Sequence, residues 1–248
     1  MARLQQVGFQ FGEPVRRKSG GSDFALQHPR NVRAAAAVLN HYYFYLGKVP
    51  FADTRKLILQ VKEAAPCPDP ISTIRCDPLG IGYCSLEYDY KATESLEGQP
   101  LKKSLLEAIH AGFTRYCDHF QIQTQPCDEA YKAVIEDGLN FGFYFNKKKS
   151  YRDSQSNKKF LLYIKFDWDE LSVIAEVYEA RSLLGSAFLY STTPNVDPWA
   201  MLVRKPGWSA DGDIQLEPIR VEGGVDNCKL SMEQLEEGVT ADSLAWSK

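Results

Sequence analysis

Hydrophobic positions along this chain switch between two periods, and the switches mark its elements. Near the start, Val7, Phe9 and Phe11 recur at every second residue, the spacing of a strand with one buried face. Paired glycines between Ser19 and Ser22 predict a loop. From Pro29 to Leu46 the period lengthens. Val32, Ala35, Ala36, Leu39, Tyr43 and Leu46 fall at three- and four-residue steps on one helical face, with Gly47 and Pro50 placed to end it. Residues Asp53 to Ala64 read as a second helix with Leu57, Ile58 and Val61 inward. The following Ala65-Pro-Cys-Pro-Asp-Pro70 cannot continue a helix, and it is the best position for an internal boundary in what otherwise reads as one domain over 1–248.

Ile81 to Tyr90 alternates Cys84, Leu86, Tyr88 and Tyr90 with Ser85, Glu87 and Asp89, a half-buried strand. Pro100 opens a helix to about Phe120 whose inward stripe is Leu101, Leu105, Ala108, Ile109, Phe113, Tyr116 and Phe120. A shorter helix spans Asp128 to Asp137, closed by Gly138. The strongest strand signal follows, with Leu139, Phe141, Phe143 and Phe145 answered by Phe160, Leu162, Ile164, Phe166 and Trp168. These two runs suit an antiparallel pair with cross-strand aromatic contacts. Asp169 to Leu184 fits either period. Ile174, Val177, Tyr178 and Arg181 favour a helix there, while Val173-Ile174 and Val177-Tyr178 would suit a third strand; the helix is expected.

Beyond Ser191 the sequence is rich in turn residues, with short strands expected at Ala200 to Arg204 and Ile214 to Val221. Residues 229–248 read as a surface helix opening on a capping-box pattern, Ser231 to Gln234. The class that emerges is α+β: an antiparallel sheet with an aromatic-rich hairpin, packed against several amphipathic helices.

Composition changes little in this picture. At 248 residues, 44% hydrophobic and 25% charged, the chain can fold without a disulfide or metal. The net charge of −3 gives no global argument for a polyanionic partner. No apolar leader follows Met1, and no run of 18 apolar residues suggests a membrane span, so a cytoplasmic protein with six reduced cysteines and no membrane contact is expected.

Motifs for chemistry are weak. His110 and Cys117 lie two turns apart on one helix, roughly 10 Å by helical rise, too far for a nucleophile and its base. Cys117, His119 and Cys127 lack the paired spacing of a zinc site. Glu87 and Asp89 share one strand face and could converge on a cation, although such pairs usually line a wet face. Gly80-Ile-Gly82 has neither the third glycine nor the helix of a dinucleotide site. No cofactor and no metal are expected.

Two features stand out. The hairpin connection Lys147 to Lys159 carries Lys147, Lys148, Lys149, Arg152, Lys158 and Lys159 against the single acid Asp153, with Tyr151 among them. Such a loop can contact phosphates and stack a base, or simply keep an aromatic hairpin soluble. The second is Asn40-His-Tyr-Tyr-Phe-Tyr45, four successive aromatics that no single helical stripe can bury. Two functions are carried forward. One is a non-catalytic interaction protein, accessory or inhibitory, that binds another protein. The alternative is a nucleic-acid-associated protein or metal-dependent enzyme using the 147–159 loop.

Overall fold

The computed structural model describes residues 3–11, 29–47, 49–51, 53–63, 74–93, 95–145, 148–167, 169–192, 203–218 and 228–247. Its contacts divide the chain into two compact units, Met1–Leu139 and Asn140–Lys248. The Ala65 to Pro70 connector lies outside the described residues.

The first unit contains β1 (Gln6–Phe11), α1 (Pro29–Leu46), β2 (Lys56–Glu63), β3 (Arg75–Cys76), β4 (Ile81–Tyr88), α2 (Tyr90–Thr93), α3 (Gly98–His119) and α4 (Gln125–Glu136). Its sheet runs β1-β2-β4-β3, with β1, β2 and β4 parallel and β3 antiparallel. A parallel pair needs a long crossover, and α1 supplies it between β1 and β2. Gly47 ends α1 at φ +63, the left-handed conformation expected of a C-terminal cap.

The helix expected over Asp53 to Ala64 is instead the central strand β2. Leu57, Leu59 and Val61 are buried while Ile58 and Gln60 are only half-buried, a period of two. Pairing on both edges, with β1 and with β4, satisfies a backbone that a short isolated helix would satisfy only internally. Helix α3 lies against this sheet, and Gly112 is one point of close approach between them. A Cβ there would stand 2.7 Å from Cδ2 of Leu86 and 3.2 Å from Cδ2 of Leu59. The Cys84 thiol, on the strand beneath, donates to the Gly112 carbonyl at 3.4 Å.

The second unit contains β5 (Phe141–Tyr144), β6 (Tyr151–Arg152), β7 (Lys158–Phe166), β8 (Leu171–Glu179), β9 (Ser182–Thr192), β10 (Val203–Trp208), β11 (Ile214–Pro218), β12 (Cys228–Leu230), β13 (Glu236–Glu237) and α5 (Ala241–Ser247). One antiparallel sheet has the order β13-β9-β8-β7-β5, with β6 also on β7; β10, β11 and β12 form a second. The aromatic pair is as the alternation suggests, with Phe141 opposite Phe166 and Phe143 opposite Ile164. Phe141, Phe143, Leu162, Ile164 and Phe166 are buried, and Phe145 is half-buried just past the strand.

Residues 169–184 are not a helix. They form β8, a turn at Ala180 and Arg181, and the start of β9. Leu171 to Val177 are all buried, because β8 is covered on both faces. A strand of that kind shows no alternation, so periodicity cannot separate it from a buried helix. The surface helix expected over 229–248 is likewise replaced by β12, a 3-10 turn at Met232–Gln234, β13 and the seven-residue α5. The Ser231–Gln234 capping box is present, yet it caps the 3-10 turn. Helix α5 packs one face on the sheet, with Ala241, Leu244 and Ala245 against Tyr163 and Ile174, and leaves Asp242 and Ser243 exposed. No described helix is long and apolar enough to cross a membrane. The five described cysteines are unbridged.

These contacts make two expectations for thermal or denaturant unfolding. Phe166→Ala should cost about 3–5 kcal/mol, as lost transfer energy plus a cavity, and Phe145→Ala distinctly less. Gly112→Ala should also destabilise, because Leu86 and Leu59 are packed and cannot both yield. Parent-like midpoints for Phe166→Ala and Gly112→Ala would contradict the packing described.

Candidate functional site

The basic connection is ordered over its described length. Asn146 and Lys147 lie outside the described residues. Tyr151 and Arg152 form β6, in register with Phe160 and Lys159 of β7. The turn between them is pinned by Asp153, whose carboxylate accepts from the Gln155 amide at 3.1 Å and from the Ser156 hydroxyl. The Asp153 amide donates to the Lys158 carbonyl at 3.0 Å. The 13-residue gap in the hydrophobic pattern is therefore largely a second, smaller hairpin.

The strand pleat then divides the basic residues, since neighbours along a strand face opposite ways. On one face Tyr151 stacks on Phe160, centroids 5.0 Å apart, with Lys149 Nζ 5.4 Å from the Tyr151 ring. Trp208 meets Phe160 from the same side and donates to the Tyr151 carbonyl at 3.0 Å. Lys158 shares this face and stands opposite Glu179. On the other face Arg152, Lys159 and Tyr178 form one row across β6, β7 and β8. Lys159 Nζ lies 5.5 Å from the Tyr178 ring, and Lys148 Nζ lies 4.6 Å from the Tyr144 ring. The structure thus unites Lys148, Arg152 and Lys159, and separates them from Lys149, Tyr151 and Lys158.

Beneath that row lies Glu176, which is 1% exposed. Its Oε2 accepts from the Tyr144 hydroxyl at 2.9 Å and the Tyr178 hydroxyl at 2.8 Å, and its Oε1 accepts from the Ala241 amide at 3.2 Å. Every partner is a donor, which is what an ionised carboxylate requires. Burial, followed by the bond to Glu176, pushes the Tyr178 phenol up to about 12. The order of residues along the chain gives no hint of this group, because a lone acid within Val173 to Tyr178 looks like the wet face of a strand.

In the first unit, side chains from three helices meet around Tyr42, which is fully buried. Its hydroxyl donates to the Cys127 carbonyl at 3.0 Å and lies 3.1 Å from His110 Nδ1. His110 Nε2 faces Asp128 at 3.4 Å, and Tyr131 lies against the imidazole with centroids 4.6 Å apart. The Cys117 and Cys127 sulfurs are 3.7 Å apart. The bond to Cys127, then burial, pushes the Cys117 thiol well above its ordinary range. Cys117 is fully buried. His119 is exposed and rests edge-on against Phe120. The polar chain from Asp128 through His110 ends on a tyrosine inside the core, so it braces α1, α3 and α4 against one another.

Asp89 is also committed, accepting from the Ala92 amide at 2.9 Å to cap α2. The side chain of Glu87 lies outside the described ones. Among the described residues no group of three or more His, Cys, Asp or Glu could hold a metal ion. The α1 aromatics sort as the stripe argument requires. Tyr42 is buried and Tyr43 donates to the Leu4 carbonyl at 3.2 Å, whereas Phe44 is 44% exposed and Tyr45 39% exposed. Phe44 and Tyr45 meet edge to face at 5.4 Å, and the Tyr45 hydroxyl is held by Asp137. The same carboxylate lies 3.1 Å from Nε2 of the buried His41.

Two histidines make the stability pH-dependent. Burial lowers the pKa of His41 and of His110 below the ordinary 6.5, outweighing the opposing pull of Asp137 and Asp128. The native state then binds fewer protons than the unfolded chain, so stability is full above 6.5 and falls as pH drops through the lower folded values. Urea midpoints from about pH 8 to about pH 5 should decline, and His41→Gln should flatten the decline. A midpoint that holds or rises on acidification would contradict the burial of these imidazoles.

No family model matches the chain, and neither the curated proteins nor the solved structures give a match.

Proposed function

We propose that this chain is a non-catalytic interaction protein, of an accessory or inhibitory kind, that binds another protein through the aromatic edge of α1. The observation that carries this reading is the exposure of Phe44 and Tyr45 beside the fully buried Tyr42. Large aromatics in this state favour protein interfaces, where they add contact area at little conformational cost. The pair is held in place before any partner arrives. Asp137 fixes the Tyr45 hydroxyl, and the Tyr45 ring also lies 5.5 Å from the buried His41. Preorganisation of this sort lowers the entropy lost on binding. The non-catalytic part of the reading rests on where the polar groups go: the Asp128–His110–Tyr42 chain runs into the core, and Asp89 caps a helix.

Site-specific photocrosslinking tests the proposal. A photoreactive phenylalanine analogue replacing Phe44 should yield one dominant adduct to a defined protein in the cell of origin, and Tyr45→Ser should reduce its yield several-fold. The same analogue at Asp211, an exposed turn of the second unit, should not give that adduct. Absence of any discrete adduct at 44, or the same adducts from both positions, would overturn the reading.

A further inference from the structure

We infer that the second unit carries a site for single-stranded nucleic acid, formed by Lys148, Arg152 and Lys159 around the Tyr178 ring, a surface separate from the α1 edge. Four observations support it. First, the register brings Arg152, Lys159 and Tyr178 side by side on adjacent strands, roughly 5 Å apart at each step. Second, Lys148 joins them through Tyr144, whose hydroxyl shares an acceptor atom with that of Tyr178. Third, the three cations are not paired with carboxylates among the described residues, where lysine ion pairs fall on Lys205 and Lys229. Fourth, α5 leaves this end of the sheet open. The helix starts at Glu176 and runs toward the other end, with Asp242 bonded to Tyr163 and Trp246 beside Lys165.

The described acids near the row do not cancel it, and Asp242 accepts from Tyr163 and Trp246. Glu176 is buried beneath it and satisfied by three donors. Glu179 faces the other side by alternation, and Asp153 is spent on its own turn. Glu236 lies on β13, beyond β9 from Glu176.

The chemistry of the row selects the ligand class. Cations that track a backbone, set beside a half-exposed ring anchored by its hydroxyl, suit phosphates interleaved with unstacked bases. A duplex offers no free base face to such a ring, and the acidic side chains of a peptide carry no ring to stack on it. With a net charge of −3 the chain as a whole does not attract polyanions, so binding must come from this local patch.

The test is fluorescence anisotropy of the full chain with labelled oligothymidine and with a matched duplex, across a range of salt. The single strand should bind at low salt with a log–log slope of about −2, from three contacts at about −0.7 each. Lys148→Ser, Arg152→Ser and Lys159→Ser combined should weaken binding at least ~10-fold and flatten the slope, whereas Lys149→Ser with Lys158→Ser should change it less than ~2-fold. Tyr178→Leu should cost roughly 10-fold with the slope unchanged, because stacking releases no counterions. A Lys148→Arg, Lys159→Arg variant should bind like the parent, which separates loss of charge from loss of folding. No binding at low salt, equal losses from the two serine sets, or equal affinity for the duplex would each overturn the inference.

Discussion

A buried carboxylate governs the second unit. Glu176 sits in the middle of β8, out of water, and a charge so placed is tolerated only when its oxygens are matched by donors. Two tyrosine hydroxyls and one helix-start amide do this, and each is thereby fixed in space. Tyr144 and Tyr178 must aim their hydroxyls inward, leaving parts of their rings at the surface for Lys148 and Lys159 to cover. Chain entry into α5 must occur at Ala241 and not elsewhere along the sheet. From this one requirement follow both the covered end of the sheet, over Tyr163 and Ile174, and the open end with its cation row.

The first unit is organised by a different constraint. Three parallel strands need both ladder edges and long crossovers, and that requirement overrides local helix preference in β2. The helices that cover the sheet then have to accommodate more aromatic surface than one stripe holds. Tyr42 goes inward and takes on the polar connection to His110 and Cys127. Phe44 and Tyr45, two and three residues further along, stay at the surface. The exposed pair is thus a by-product of packing, and Asp137 holds the Tyr45 hydroxyl in place.

How much of this can be read from residues alone depends on whether a segment has two different faces. The strand β4 and the Phe141–Phe166 pairing were legible because apolar and polar residues alternate along them, and the bounds of α1 because Pro29, Gly47 and Pro50 punctuate its helical period. Two segments gave misleading signals: Leu171 to Val177, buried on both faces, shows no period, and Lys56 to Glu63 satisfies two periods at once. The C-terminal segment failed for another reason. Its capping box is real, but such a motif fixes only one turn, and the pairing of Glu236 and Glu237 with β9 stops the helix from following. The basic residues of 147–159 were visible as composition, whereas their division between two faces required the β6–β7 register. Glu176 was not legible as a site residue, since its partners Tyr144 and Ala241 lie 32 and 65 residues away.

The claim that Glu176 determines where the sheet is covered can be tested by residue-resolved hydrogen exchange on Glu176→Gln. A glutamine keeps the shape but loses the charge and cannot accept from all three donors on the same terms. The account predicts that amides of Leu244 and Ala245 in α5 lose protection while those of β7 and β8 keep theirs, as local detachment of the helix requires. Unchanged protection in α5 would contradict it, and would mean that the apolar contacts of Leu244 and Ala245 with Tyr163 and Ile174 hold the helix without the carboxylate.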